Sequence, residues 1–238
     1  MEDFLREYYS FLTKAVEIIA AITAIIVCKK YKNTSVKYFL WFLIYVFFLE
    51  LIGGYTVYVA KYEFLSNIKA ALKGTWAERN YWWYTIFWEI GSVLFYSTYF
   101  MTIIKTRAYK KIIGWFRLLF LISAIIYIIV NFDRFFVSSM KFNSIFGAFV
   151  ILVTTTLYFV DVLQSERLLS FYKSVNFYIA AVIFIWYLVL TPIIFYDVYY
   201  SLADWDYVIL KSALYLSMNI FMYLTFTIVL LWCKPQNV

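Results

Sequence analysis

The chain has 238 residues, of which 65% are hydrophobic, 24% aromatic and only 15% charged, and its formal net charge is +7. Soluble domains are about 45–50% apolar and about 25% charged. The composition therefore excludes an ordinary soluble enzyme, a disordered protein and a disulfide scaffold. It indicates a polytopic membrane protein.

Seven stretches of the sequence are long and apolar enough to cross a membrane, since a helix needs roughly 20 residues to span the hydrocarbon. They are apolar on all sides, which favours helices over the alternating strands of a barrel. We predict one all-α domain, 1–238, that forms a transmembrane bundle of seven helices. The predicted spans are 8–28, 38–60, 81–104, 112–130, 143–162, 177–196 and 207–232.

Basic residues collect in alternate loops, which by the positive-inside rule face the cytoplasm. They are Lys29, Lys30, Lys32, Lys37, Lys105, Arg107, Lys110, Lys111, Arg167, Lys173 and Lys234. Most acidic loop residues fall on the opposite side. We therefore predict an external N-terminus and a cytoplasmic C-terminus. The positive charge reports this topology and does not indicate nucleic-acid binding. The abundance of Tyr, Phe, Ile and Lys is typical of an AT-rich bacterial genome, which predicts the bacterial inner membrane.

The residue types restrict the chemistry. Histidine, the commonest metal ligand and near-neutral proton carrier, is absent from the sequence. The two cysteines, Cys28 and Cys233, are predicted near the cytoplasmic face, where thiols stay reduced. Motifs of serine hydrolases, metalloproteases and phosphate-binding loops are missing. We therefore expect no metal, no cofactor and no enzymatic activity.

The longest predicted external loop, 61–80, has apolar residues at helical spacing, at Phe64, Leu65, Ile68 and Leu72. This pattern predicts a short helix on the membrane surface that ends at Gly74. It is either an interfacial connector or a cap over an outer cavity.

Several acidic residues fall inside the predicted spans, where a charge is costly and faces the bundle interior or water. Glu50 lies near the middle of the second span, and Glu17 and Glu89 lie in the outer halves of the first and third. Glu50 has no partner on its own helix, so it must find one across the bundle or stay protonated. Gly53 and Gly54 follow it and would let a neighbouring helix or a ligand approach closely.

The seventh span carries a stripe on one helix face, formed by Lys211, Tyr215, Met218, Asn219 and Met222. Considered by itself, Asn219 is interpreted as a polar contact between helices. The whole stripe is predicted to line the same interior as the three acidic residues. The candidates for ligand binding or ion coupling are therefore Glu17, Glu50, Glu89, Lys211, Tyr215 and Asn219.

Two further pairs are predicted to be structural. Arg117 and Asp161 lie at similar predicted depth on consecutive antiparallel spans, which predicts an ion pair between them. Lys14 precedes Glu17 by three residues, so the two can pair locally on one helix face.

The seven-span layout with an external N-terminus resembles that of microbial rhodopsins and G-protein-coupled receptors. A retinal protein needs a lysine deep in the seventh span, whereas Lys211 is predicted about one turn from its outer edge, so the rhodopsin function is disfavoured. Two alternatives remain open. One is a ligand-sensing, receptor-like module, and the other is a small-solute or proton- or cation-coupled transporter with three-plus-one-plus-three topology and Glu50 as the coupling site.

The outer placement of most ionisable groups favours the sensor. The chain carries no effector domain of its own, so a sensor would act through a cytoplasmic signalling protein bound at the basic inner face. The expected partners are therefore the lipid bilayer, an unidentified small ligand and that protein.

Overall fold

The computed structural model describes residues 2–166, 171–197 and 204–235, and in these residues all regular secondary structure is helical. The first half contains α1 (Glu2–Val27), α2 (Val36–Gly53), α3 (Tyr55–Lys61), α4 (Ser66–Leu72), α5 (Tyr81–Trp83), a π-helix (Tyr84–Ile90) and α6 (Gly91–Ile103). The second half contains α7 (Arg107–Val130), α8 (Phe132–Phe135), α9 (Lys141–Leu163), α10 (Val175–Tyr196) and α11 (Trp205–Trp232). Arg167, predicted on the basic side, lies outside the described residues.

Six helical segments in the described residues are long and apolar enough to cross a membrane, which identifies a multi-pass membrane protein. They are Glu7–Val27, Val36–Lys61, Arg107–Val130, Lys141–Leu163, Val175–Tyr196 and Trp205–Trp232. The remaining predicted span, 81–104, is helical from Tyr81 to Ile103 but is divided into α5, the π-helix and α6. It is therefore not one of the six segments.

The second spanning segment is interrupted at Gly54, between α2 and α3. A Cβ atom on Gly53 would lie 2.9 Å from the ring of Trp83. The absence of a side chain at Gly53 thus allows the segment 81–90 to pack directly on this break. Trp83 Nε1 donates to the Leu49 carbonyl over 3.1 Å, and Asn80 Nδ2 donates to the Gly53 carbonyl over 2.7 Å. The predicted close approach beside Gly53 is confirmed, and the approaching group is Trp83.

The two ends of the bundle are named here by the chain termini. The N-terminal face is the end where α1 and α11 begin, and the C-terminal face is the opposite end. At the C-terminal face Lys30 Nζ donates to the carbonyls of Leu230 and Leu231, both over 2.9 Å, and Tyr31 donates to Cys233 O over 2.7 Å. These contacts satisfy carbonyls left open at the end of α11 and tie it to the loop after α1.

Asp161 stabilises the start of a neighbouring helix. Its two carboxylate oxygens accept hydrogen bonds from the backbone N–H groups of Lys105 and Thr106, over 3.0 and 2.9 Å, directly before α7 begins. Arg117 is ten residues further on, about 15 Å along that helix, and donates instead to Thr98 Oγ1 over 3.0 Å. The predicted ion pair between Arg117 and Asp161 is therefore not formed, because the two side chains lie at different depths.

Packing is closest in the half of the bundle toward the C-terminal face. Among the largest fully buried side chains there are Phe39, Tyr99, Ile113, Tyr158 and Ile179. Each lies within about two turns of the end of its helix at that face. The half toward the N-terminal face is less filled and contains a cavity.

The surface helix predicted in loop 61–80 is present as α4, preceded by one turn of 3₁₀-helix over Glu63–Leu65. Gly74 follows with φ of +75°, a left-handed conformation that favours glycine after a helix.

Candidate functional site

A cavity of about 640 Å³ lies between α1, the π-helix, α9, α10 and α11 in the half toward the N-terminal face. Its rim includes Tyr81, Ser139 and Lys141, which lie at or beside helix ends on that face. Its deeper wall includes Ser92 and Tyr187. Small-molecule sites in proteins typically measure about 300–1,000 Å³, so the cavity is of the size that holds one organic ligand.

Three of the six predicted site residues line this cavity: Glu89, Lys211 and Tyr215. Glu89 is carried by the π-helix, and Lys211 and Tyr215 lie one turn apart on α11. A π-helical turn is rare and occurs often at functional sites. Here it belongs to the segment that packs on the break beside Gly53.

Glu89 is the acidic residue deepest in the cavity wall. Ser144 donates to its Oε1, and the Thr85 side chain also interacts with the carboxyl group. Oε2 is buried without a hydrogen-bond partner among the described residues. Within the described residues no lysine or arginine lies at ion-pair distance from this carboxyl group. A carboxylate at this depth needs a proton or a cation to balance its charge.

An ion pair and several hydrogen bonds link the side chains at the mouth of the cavity. Lys211 Nζ lies 2.5 Å from Asp197 Oδ2, and Tyr207 donates to Asp197 Oδ1 over 2.7 Å. Lys141 donates to the backbone carbonyl of Asp197. This group joins α9, α10 and α11 at the rim, and it neutralises Lys211 within the protein.

Aromatic rings form much of the remaining wall. The Trp186 ring lies 6.4 Å from Trp88, 6.4 Å from Tyr215 and 4.8 Å from Tyr187, measured between ring centroids. All four residues line the cavity. Trp186 Nε1 donates to Asn219 Oδ1 over 3.0 Å. Asn219 therefore does not line the cavity but links α11 to α10 and holds a ring of the wall in place.

Asn143 was not among the predicted site residues. It is fully buried in the cavity wall, and neither atom of its side-chain amide has a hydrogen-bond partner in the described structure. A buried amide without partners is unfavourable and rare in folded proteins. A usable signal was present in the sequence, because Ser144, Gly147 and Ala148 follow at helical spacing and leave space beside that helix face.

Glu17 and Glu50 form a second acidic cluster that does not line the cavity. Glu17 is only 6% exposed, and the two carboxyl groups lie close enough to interact electrostatically. Glu50 Oε2 accepts a hydrogen bond from Tyr84 OH over 2.8 Å. Glu50 thus finds its partner across the bundle, as its position in the sequence requires.

Lys14 lies beside this acidic cluster but pairs mainly with an aromatic residue. Its Nζ donates to Tyr58 OH over 3.3 Å and lies 4.8 Å from the centre of that ring. No ion pair between Lys14 and Glu17 forms within the described residues. Tyr9 lines the cavity and interacts electrostatically with both acids, so it lies between the two sites.

Within the described residues the cavity thus combines a deep carboxyl group without a counter-charge, an amide without a hydrogen-bond partner, an ion pair at the rim and an aromatic wall. No protein-family model, curated protein or solved structure matches the chain.

Proposed function

We propose that the protein is a seven-span ligand-sensing module of the bacterial inner membrane that takes a small ligand from the external face. In this proposal the segment 81–103 also crosses the membrane, as the third span in chain order, and brings the total to seven. The N-terminal face is external and the C-terminal face is cytoplasmic. The segment packs against α2, α7 and α9, as an internal span would. Lysines in the loops after α1 and before α7 lie at the C-terminal face, as the positive-inside rule requires of a cytoplasmic face.

The observation that carries the proposal is a cavity reached from one face and closed toward the other. Ser92 and Tyr187, which share a hydrogen bond of 3.4 Å, lie in its deeper wall. Tyr96 and Tyr99 come next toward the C-terminal face, and both are buried. A ligand that enters from outside is held above closely packed aromatic residues, which suits binding and signalling better than passage.

The output of such a sensor would be a change in the helix ends at the C-terminal face. Several lysines lie there, and the contacts of Lys30 and Tyr31 tie α1 to α11, which also contributes Lys211 and Tyr215 to the cavity. A cytoplasmic signalling protein with an acidic surface is the partner we propose for this face.

A proton- or cation-coupled transporter is the second candidate, and the Glu17–Glu50 cluster is what favours it. Two interacting carboxyl groups inside a bundle are typical of proton relays in transporters. Tyr9 lies between this cluster and the cavity, so protonation there could be coupled to a ligand.

Thiol accessibility tests the two candidates directly. In a background with Cys28 and Cys233 replaced by serine, Ser212→Cys places a thiol in the cavity and Ser217→Cys places one on the outer surface of α11. A charged, membrane-impermeant methanethiosulfonate reagent should modify Ser212→Cys from the external side of oriented vesicles. Ser217→Cys, facing lipid, should react from neither side.

Reaction of Ser212→Cys from both sides would overturn the sensor and support alternating access. Proteoliposomes containing a pH-sensitive dye provide the second measurement. The sensor proposal expects no proton flux in the wild type, whereas flux that Glu50→Gln abolishes would establish the transporter.

A further inference from the structure

We propose that the cavity binds an organic ammonium compound with an aromatic or apolar body, and that its ammonium group contacts Glu89. This inference rests on the proposed function, since it names the class of ligand that the same cavity would take.

The charge at the deep end of the cavity favours a cationic ligand. Among the described residues, four side chains with a formal charge line the cavity: Glu89, Lys141, Asp197 and Lys211. Lys211 and Asp197 form an ion pair, and Lys141 keeps its charge at the rim, where it donates to the Asp197 backbone carbonyl. Glu89 lies deeper, and its Oε2 is buried without a hydrogen-bond partner among the described residues. A ligand cation placed there would supply the missing charge in a region where water cannot screen it.

The aromatic wall favours an organic cation over a metal ion. Trp88, Trp186, Tyr187 and Tyr215 line the cavity, and cations bind to aromatic rings through the quadrupole of the π system. No cluster of side chains suited to a metal occurs among the described residues. A volume of about 640 Å³ also far exceeds a single ion and leaves space for an apolar body against the rings.

The polar atoms near Glu89 match the donors of an ammonium group. A primary ammonium has three N–H donors and needs acceptors for each of them. Glu89 Oε2 and the Asn143 carbonyl oxygen are both without partners in the described structure, and the Ser92 hydroxyl also lies in the wall. An ammonium ligand would thereby give the Asn143 carbonyl oxygen a donor, whereas the Asn143 N–H groups would need an acceptor elsewhere on the ligand.

Binding of three related probes to the full chain in lipid nanodiscs tests the inference. The probes are 2-phenylethylammonium, the neutral 2-phenylethanol and the anionic 3-phenylpropanoate, followed by tryptophan fluorescence and by the shift in melting temperature. We expect 2-phenylethylammonium to bind at least about 10-fold more tightly than the other two, since a charge-assisted hydrogen bond is lost in each comparison.

Two matched variants locate the binding group. Glu89→Gln should weaken binding of 2-phenylethylammonium about 10-fold or more, because it removes the charge and keeps the shape. Glu63→Gln changes an exposed acid on the same face outside the cavity and should leave the affinity unchanged. Equal melting temperatures of the two variants without ligand would show that Glu89→Gln is folded. If Glu89→Gln melts lower, Glu89→Asp, which keeps the charge, should retain tighter binding than Glu89→Gln.

The failures of the two proposals can be told apart. Equal or tighter binding of 2-phenylethanol or 3-phenylpropanoate, or unchanged affinity in Glu89→Gln, would overturn the ammonium inference. Neither result would contradict the proposal that the cavity binds a ligand. The same holds if no probe binds while Ser212→Cys still reacts from the external side. If no probe binds and Ser212→Cys is also inaccessible, the proposed function fails together with the inference.

Discussion

Tyr84 donates its hydroxyl hydrogen to Oε2 of Glu50 over 2.8 Å and thereby joins the π-helix to α2 inside the bundle. The contact lies beside Gly53, where Trp83 of the same segment packs against the backbone. Glu50 thus holds in place the segment that carries Glu89 into the cavity.

We expect Tyr84→Phe to lower the free energy of unfolding by about 1 kcal/mol, a typical value for an interhelical hydrogen bond within a membrane. Reversible unfolding in mixed micelles measures this value. In a double-mutant cycle with Glu50→Ala the two changes should be non-additive, since each removes one partner of the same contact. Additive effects would show that the hydrogen bond contributes nothing to stability.

Asp161 should stabilise the start of α7 and should not interact energetically with Arg117. We expect Asp161→Ala to cost about 1–2 kcal/mol of stability, because the N–H groups of Lys105 and Thr106 lose their acceptor. Arg117→Leu should be additive with it, within about 0.5 kcal/mol. A coupling energy well above about 0.5 kcal/mol would show that Arg117 and Asp161 interact after all, as the sequence predicts.

Gly53 and Gly114 are both helical glycines, and replacing each by alanine should have opposite effects on stability. A Cβ at Gly53 would lie 2.9 Å from the Trp83 ring, so Gly53→Ala should destabilise the protein by about 1–3 kcal/mol. A Cβ at Gly114 meets nothing nearer than Met101 Cε at 4.0 Å. Gly114→Ala should therefore be neutral or stabilising by up to about 1 kcal/mol, through helix propensity. Equal thermal shifts in both variants would contradict the close packing at Gly53.

The native cysteines report the orientation of the bundle. Cys28 is exposed at the C-terminal face, so a membrane-impermeant maleimide should label it in inside-out vesicles and not in intact cells. Ser66→Cys, an exposed position on α4, should show the opposite pattern. Labelling of Cys28 from outside the cell would show that the orientation is the opposite of the one proposed.

Cys233 should label more slowly than Cys28 and with a distinct pH dependence. It is only partly exposed, and burial raises the pKa of its thiol above the usual value. Because the thiolate is the reactive form, a raised pKa leaves less of it at pH 7, and the labelling rate should climb as the pH approaches the pKa. A rate for Cys233 at pH 7 equal to that of Cys28 would contradict the burial of this thiol.

The sequence located the spanning segments well because hydrophobic length is a local property. Each of the six spanning segments overlaps a predicted span, and the helix predicted before Gly74 is present. The segment 81–104 was predicted as one regular helix, yet it contains a π-helix over Tyr84–Ile90. This irregularity depends on packing against α2, which no pattern within the segment itself encodes.

For the polar residues of the site, too, the sequence predicts the position along the helix but not the direction of the side chain. Depth along a helix follows from residue number, so Glu17 and Glu89 are expected in the outer half of the bundle and Glu50 near its middle. Their division into two clusters depends on the direction in which each side chain points, and the Gly54 break and the π-helix set the rotation of the segments around them. The predicted single interior is thus two neighbouring sites that share Tyr9.

Composition alone determined that this chain is a multi-pass helical membrane protein, since burial of apolar helices in lipid depends on length and hydrophobicity and little on neighbours. Only the tertiary structure decided that Glu89 and several aromatic residues line one cavity, that Asp197 neutralises Lys211 and that Asn143 has no hydrogen-bond partner among the described residues. Such relations join residues far apart in the chain. They are fixed by interhelical packing and hydrogen bonding, which a sequence read one segment at a time does not contain.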